Sequence, residues 1–195
     1  MLTIAVALFE DVEELDWAGP WEVFGSWASQ WPDDDVRVIA VSDDDQPIRC
    51  ANGARVLGNE RWGETVPIDV LVYPGGHGTR ALLGDESVRG RVRALAEQGT
   101  LMTSVCTGSL VYADAGLLDG RPATTHWDNL DELAALGTDI EVRPDDRFVD
   151  DGNIVTAAGV SAGIDMAFHV IGRLHSPARA RDVRRYIQYD PQPPH

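Results

Sequence analysis

Cys106 lies in the run L-M-T-S-V-C-T-G-S-L, between an apolar stretch that predicts a buried strand and a segment that predicts a helix. Reading 101–105 as the strand and 107–115 as the helix puts the thiol on the corner. Ser104-Val105-Cys106-Thr107-Gly108 has the small-x-nucleophile-x-Gly form of a cysteine nucleophile elbow, a turn so tight that its flanking residues must be small. Such a corner holds its nucleophile in a strained backbone conformation with the side chain accessible. The helix N-terminus would aim N–H groups and its positive dipole end at the sulfur, and both favour a thiolate of lowered pKa. The competing reading is a buried structural cysteine. Strand before, helix after and glycine two residues on favour the nucleophile.

A reacting thiol needs a proton partner and donors for developing charge. Asp16, between Leu15 and Trp17 at a helix start, is the carboxylate to pair with it. Beside an incipient thiolate its pKa would rise and make it a proton donor near neutral pH. A plain helix N-cap is the other reading. The loop Tyr73-Pro74-Gly75-Gly76-His77-Gly78 brings glycines that permit close backbone approach. The N–H groups of Gly76 and Thr107 would then form an oxyanion-hole-like pair, the alternative being an ordinary strand-ending turn. His77 is placed either at a pocket entrance or on a solvent-facing loop. Trp17, Trp21 and Trp127 are candidates for an apolar pocket wall or for core packing.

These residues must be carried by alternating strands and helices. Strands are predicted at 3–8, 36–41, 70–73, 101–105 and 154–157, with short hairpin pieces at 48–50 and 55–57 around the Asn52-Gly53 turn. Helices are predicted at 16–29, 87–98, 107–115, 130–136 and 161–174, the last with Ser161 as N-cap. A further helix opens at Pro177 and runs to 187, before a frayed tail at 190–194. Strands at 140–143 and 147–149 are predicted to be joined by the acidic turn Pro144-Asp145-Asp146. Repeated βα units with buried strands indicate an α/β fold around a mostly parallel sheet, in one domain spanning 1–195. In such sheets function gathers at the carboxyl ends of the strands.

Composition narrows the rest. The 195 residues carry 22 Asp and 10 Glu against 16 Arg and no Lys, a net charge of −16. A surface this acidic repels nucleic acid and anionic membranes. Asp triplets at 33–35 and 43–45 lack the glycine and terminal glutamate of a calcium loop. Acidic runs in predicted loops point instead to a high-salt cytoplasm. No apolar run approaches the ~20 residues of a membrane span, and the N-terminus lacks a basic leader. Two cysteines make no disulfide framework, and Cys50 is read as structural. The scattered histidines have no metal-ligand spacing, so neither metal nor cofactor is expected.

The segments V-E-E-L-D-W-A-G-P-W-E-V-F, Y-P-G-G, S-V-C-T-G-S-L, A-T-T-H-W and T-A-A-G-V-S-A-G-I-D, in this order, resemble the ThiJ/PfpI superfamily, class I glutamine amidotransferase-like proteins, across essentially the whole chain. The first, third and fourth resemble its isonitrile hydratase branch and the N-terminal ligand domain of certain AraC-type regulators. The resemblance implies a flavodoxin-like sandwich, Cys106 as the elbow cysteine, Asp16 touching its sulfur, and Gly75, Gly76 and Thr107 around it. Thr107 replaces the histidine of the protease-like branch, which argues against a Cys-His dyad. His126 matches a family position close to the pocket, more in support of the site than in contact with the reaction. The implied activity is cofactor-independent hydration of a small-molecule isonitrile to an N-substituted formamide. The alternatives are glyoxalase III or deglycase chemistry on methylglyoxal, and a redox- or ligand-sensing domain without turnover. A homodimer is implied; contact with DNA or a membrane is not expected.

Overall fold

The computed structural model describes residues 1–63 and 67–191. Its elements run β1 (Leu2–Ala7), α1 (Glu14–Gln30), β2 (Val36–Ser42), β3 (Ile48–Arg49), β4 (Arg55–Val56), β5 (Glu60–Arg61), β6 (Val70–Tyr73), α2 (Thr79–Leu82), α3 (Glu86–Glu97), β7 (Leu101–Val105), α4 (Gly108–Asp114), β8 (Pro122–Ala123), α5 (Leu130–Leu136), β9 (Glu141–Val142), β10 (Phe148–Asp150), β11 (Ile154–Ala157), α6 (Ala162–Leu174) and α7 (Pro177–Tyr186). Seven strands form one sheet in the order β10-β11-β7-β6-β1-β2-β5, parallel throughout except for the β10–β11 pair. The central order β2-β1-β6-β7-β11 is that of a flavodoxin-like sandwich. No helix among the described residues is long and apolar enough to cross a membrane.

Side chains on the central strands alternate between two apolar layers, as the two-residue period of a strand requires. Ile4, Val6, Val70, Val72 and Val105 join Phe24, Trp27, Met166 and Ile171 on the side of α1 and α6. Ala5, Ala7, Leu71, Tyr73 and Met102 join Val88, Val92, Leu110 and Leu133 on the side of α3, α4 and α5. With both faces covered, the strands carry continuous apolar runs, which is why they were readable as buried. The chain passes from β1 to β2 in one direction and returns to β6 on the other side of β1. This reversal opens a crevice at the carboxyl ends of β1 and β6, beside the end of β7.

The predicted 140–149 hairpin does not form. β9 instead pairs in parallel with β8 as a separate two-stranded sheet, and β10 pairs antiparallel with β11. Edge segments with so few residues take their partners from tertiary position, which local pattern does not encode. Ser161 does not cap α6 through its side chain; its hydroxyl accepts from Arg147, which also holds Asp165. Asn52-Gly53 does form the β3–β4 turn, with Gly53 at φ +97°. Part of the tail predicted at 190–194, and His195, lie outside the described residues.

One polar cluster fastens the end of α1 to α7. The Asp34 side chain is only 8% exposed and accepts from Trp27 Nε1 at 2.6 Å and from Arg179 Nε and Nη2 at 2.5 and 3.0 Å, with His175 Nε2 at 3.3 Å. The Arg179 guanidinium holds the Asp34 carboxyl below its ordinary range, against the opposing effect of burial. The folded pKa is therefore lower than the unfolded one. Its stabilising contribution is complete above the unfolded carboxylate range and is lost as pH falls through the folded pKa. Asp34→Ala is expected to cost about 2–4 kcal/mol at pH 7, because it strands Arg179 and the indole N–H. Urea unfolding of both proteins at pH 7 and pH 3 checks this: the gap must narrow at the lower pH.

Candidate active site

β7 delivers Cys106 to the carboxyl edge of the sheet, and α4 begins two residues later. Cys106 has φ +54°, a left-handed conformation uncommon for a residue with a Cβ. Hydrogen bonds on both of its peptide groups hold it there. Its N–H donates to the carbonyls of Ala157 (3.1 Å) and Ala158 (3.0 Å), and its own carbonyl accepts from the hydroxyls of Thr125 (2.8 Å) and Ser109 (3.1 Å). Such a conformation costs on the order of 1–3 kcal/mol, and anchors on both sides of the residue offset it. Gly108 permits the turn: a Cβ there would lie 2.1 Å from the carbonyl oxygen of Tyr73.

Asp16 is not the helix cap. Glu13 occupies that position, and Asp16 sits in the first turn of α1 with no solvent exposure. Its Oδ2 accepts the Gly75 N–H at 2.8 Å, while Oδ1 is buried without a conventional hydrogen-bond partner among the described residues. Gly75 makes this approach possible, since a Cβ would lie 2.5 Å from the Thr107 nitrogen and 2.8 Å from Asp16 Oδ2. Burial pushes the Asp16 carboxyl up to about 7, helped by the nearby Glu13 charge and opposed by the Gly75 N–H and the Cys106 thiol. Burial also pushes the Cys106 thiol up to about 12, with the Asp16 charge adding to it. The expectation of a lowered thiol pKa is thus overturned: desolvation outweighs the donors. Thiol and carboxyl form a coupled pair that loses its first proton near neutrality.

Two backbone N–H groups act on the sulfur, those of Thr107 and Val160, together with the Thr107 hydroxyl. Gly76 is not one of them, contrary to the expected pair; its N–H donates to Thr107 Oγ1 at 3.0 Å. Gly76 therefore steadies the Thr107 side chain, which also receives the Thr79 hydroxyl at 3.2 Å. Sequence reasoning missed Val160. It has φ +46°, a strained value for a β-branched residue, in the turn after β11. The A-A-G-V-S-A-G run after an apolar strand was the available signal, since a glycine-bearing turn at a strand's carboxyl end can present backbone donors.

Cys106, Thr107, Gly76 and Val160 line a cleft of about 240 Å³. Around them stand Glu13, His77, Arg80, His126, Asp128 and Asn129. His126 Nδ1 accepts the Asp128 N–H at 3.3 Å, so a neutral ring carries its proton on Nε2. Four expected pocket residues, Gly75, Trp17, Trp21 and Trp127, do not line this cleft. Gly75 is behind it, Trp17 and Trp21 pack against the apolar layers, and Trp127 is 72% exposed beside His126. The indoles follow core and surface positions, and the cleft takes its walls from loops at the strand ends.

A strand-to-helix corner cysteine facing a buried carboxyl on a flavodoxin-like sheet accords with the family match: the chain belongs to the DJ-1/PfpI family, whose model matches residues 2–173. It is 39% identical over 193 residues to the isonitrile hydratase of Pseudomonas putida, covering 99% of this chain and 81% of that protein. It is also 31% identical over 156 residues to the HTH-type transcriptional regulator CdhR of Pseudomonas aeruginosa, covering 80% of this chain and 46% of the regulator. A ThiJ/PfpI family protein from Pseudomonas syringae superposes with a TM-score of 0.85 at 31% identity, covering this whole chain and 77% of that one.

The coupled pair sets a pH signature. Loss of one proton from the pair creates the state in which Asp16 can take the thiol proton, so alkylation of Cys106 by a neutral reagent is expected to rise with an apparent midpoint near 7. Asp16→Asn is expected to move that rise into the alkaline thiol range, without the neutral limb. Rates of iodoacetamide labelling at Cys106, followed by intact mass between pH 5 and 10, read both profiles.

Proposed function

We propose that the protein is a cofactor-independent isonitrile hydratase in which Cys106 is the nucleophile and Asp16 carries the proton. The observation that carries this reading is the buried Asp16 carboxyl, poised near neutrality against the Cys106 thiol in a small cleft. The 39% identity to a protein named isonitrile hydratase, over nearly the whole chain, supports the choice of electrophile.

The terminal carbon of R–N≡C accepts the sulfur lone pair as Asp16 takes the thiol proton. An S–C bond forms, and Asp16 returns that proton to the same carbon, giving the thioimidate R–N=CH–S. Water then adds to the carbon, placing one of its protons on nitrogen. As the C–S bond breaks, the remaining hydroxyl proton restores the Cys106 thiol and R–NH–CHO leaves. No electrons are exchanged with any third partner. The Thr107 and Val160 N–H groups, which already act on the sulfur, stabilise the negative charge it carries during attack and release. The Thr107 hydroxyl adds a donor held in place by Gly76 and Thr79. An ionised Asp16 beside a neutral thiol suits this reaction, because the carboxylate can take the thiol proton and then return it to the substrate carbon.

Purified protein is expected to convert cyclohexyl isonitrile to N-cyclohexylformamide, read by NMR. Cys106→Ala is expected to abolish turnover while the circular dichroism spectrum is unchanged. Asp16→Asn should lower kcat by about 10²–10⁴, the ordinary range for a lost general acid–base. Isonitrile left intact by folded protein, with methylglyoxal consumed in a parallel assay, moves the nucleophile to aldehyde chemistry. Neither substrate consumed leaves a sensing domain.

A further inference from the structure

We infer that the cleft over Cys106 is charge-selective: Glu13 and Asp128 admit small neutral or cationic electrophiles and turn away those bearing a carboxylate. For the substrate class this rests on the isonitrile reading, but the selectivity itself requires only that Cys106 be the reacting atom.

Five side chains that carry or can carry charge line the cleft beside the thiol: Glu13, Asp128, Arg80, His77 and His126. The guanidinium is the obvious anchor for an anionic substrate, and it is already engaged. Its Nε and Nη2 donate to Glu132 Oε1 and Oε2 at 3.2 and 2.5 Å, and its Nη1 reaches the Gly76 carbonyl and Thr79 hydroxyl at 3.4 and 3.3 Å. Asn129 donates a further bond to Glu132. A substrate carboxylate would have to displace a bidentate intramolecular partner, which the protein holds at a far higher effective concentration.

The two cleft carboxylates have no comparable compensation. Glu13 receives one neutral amide bond, from Asn52 Nδ2 at 3.1 Å, and Asn52 is itself fixed by Glu14. Asp128 is exposed on the turn after His126, and no arginine among the described residues pairs with its carboxylate. A concave wall with low-dielectric backing focuses such a field, and changes encounter rates by roughly 10–10³-fold. The predicted substrate class is therefore a neutral or amine-bearing isonitrile, and isocyanocarboxylates and 2-oxoacids are excluded. Methylglyoxal is uncharged, so this selectivity bears on charge class and is independent of which neutral electrophile is used.

The test compares reagents at one sulfur, so that changes in the thiol's own reactivity cancel. Cys106 is labelled with iodoacetamide and with iodoacetate, and the rate ratio is normalised to that of glutathione at the same pH and low salt. The wild-type ratio is expected to disfavour iodoacetate by about tenfold or more, and to relax as salt is added. Glu13→Gln with Asp128→Asn should bring the ratio most of the way to the glutathione value. Asp33→Asn with Glu97→Gln, exposed positions that precede β2 and β7 at the opposite, amino end of the sheet, should leave it unchanged. A wild-type ratio equal to that of glutathione overturns the inference. So does a depressed ratio that the cleft variants leave in place, or one that the remote variants relieve equally. In the parallel turnover assay, cyclohexyl isonitrile should be hydrated and isocyanoacetate resisted until both cleft carboxylates are neutralised. If no isonitrile is hydrated but the labelling ratio behaves as stated, the isonitrile reading falls and the charge selectivity stands.

Discussion

A carboxyl group buried with a single backbone donor is costly to keep ionised, and the surroundings of Cys106 are arranged around that constraint. Burial of a charge without compensation is resolved in proteins by a shift of pKa. Asp16 receives the Gly75 N–H and the influence of the thiol, but no cation among the described residues. An arginine beside it would have fixed the negative charge and removed the group from proton transfer. Instead the carboxyl stays near the point where it can both accept and donate, and the backbone pays for the proximity through a glycine at position 75.

The parallel sheet makes this assembly possible. Asp16, Gly75, Cys106 and Val160 are far apart in sequence, yet each lies just beyond the carboxyl end of one of four neighbouring strands, β1, β6, β7 and β11. Register between these strands is set by buried apolar side chains on both faces, so a one-residue slip would turn core residues into the wrong layer. The site thus inherits its precision from packing several ångströms below it. The Cys106 conformation is anchored in the same way, because the carbonyls that hold its N–H belong to the end of β11 and the residue after it. At its other end α1, which carries Asp16, is tied through Trp27 and Asp34 to α7.

Much of this was legible in the sequence. Long apolar runs announced the central strands, and S-V-C-T-G announced the corner, because tight turns restrict residue size. Asp16 was legible as a carboxylate placed next to two apolar residues. The parts that were not legible are those set by three-dimensional placement. The identity of the second backbone donor, Val160 in place of Gly76, depends on which strand-end turn happens to face the sulfur. The partners of β9 and β10 depend on which edges are open. Trp17 and Trp127 have the composition of pocket residues, but one is drawn into the apolar layers and the other left at the surface.

The thiol pKa illustrates why motif reasoning misjudged the electrostatics. A helix N-terminus contributes about 0.3–1 kcal/mol to a nearby anion, rising to ~2 kcal/mol in partly buried geometry. Burial and the adjacent Asp16 charge act in the opposite direction and push the Cys106 thiol up, to about 12. Burial and the adjacent carboxylate win over the dipole of a seven-residue helix. The consequence for chemistry is that the proton lost near neutrality belongs to the thiol–carboxyl pair, and the one that remains is shared between sulfur and Asp16. In the proposed reaction, transfer of the thiol proton to Asp16 as the new bond forms would tie the nucleophile's activation to an electrophile in the cleft. The corner cysteine and the carboxyl that burial holds near neutrality therefore titrate as one unit, and the chemistry of either depends on the other.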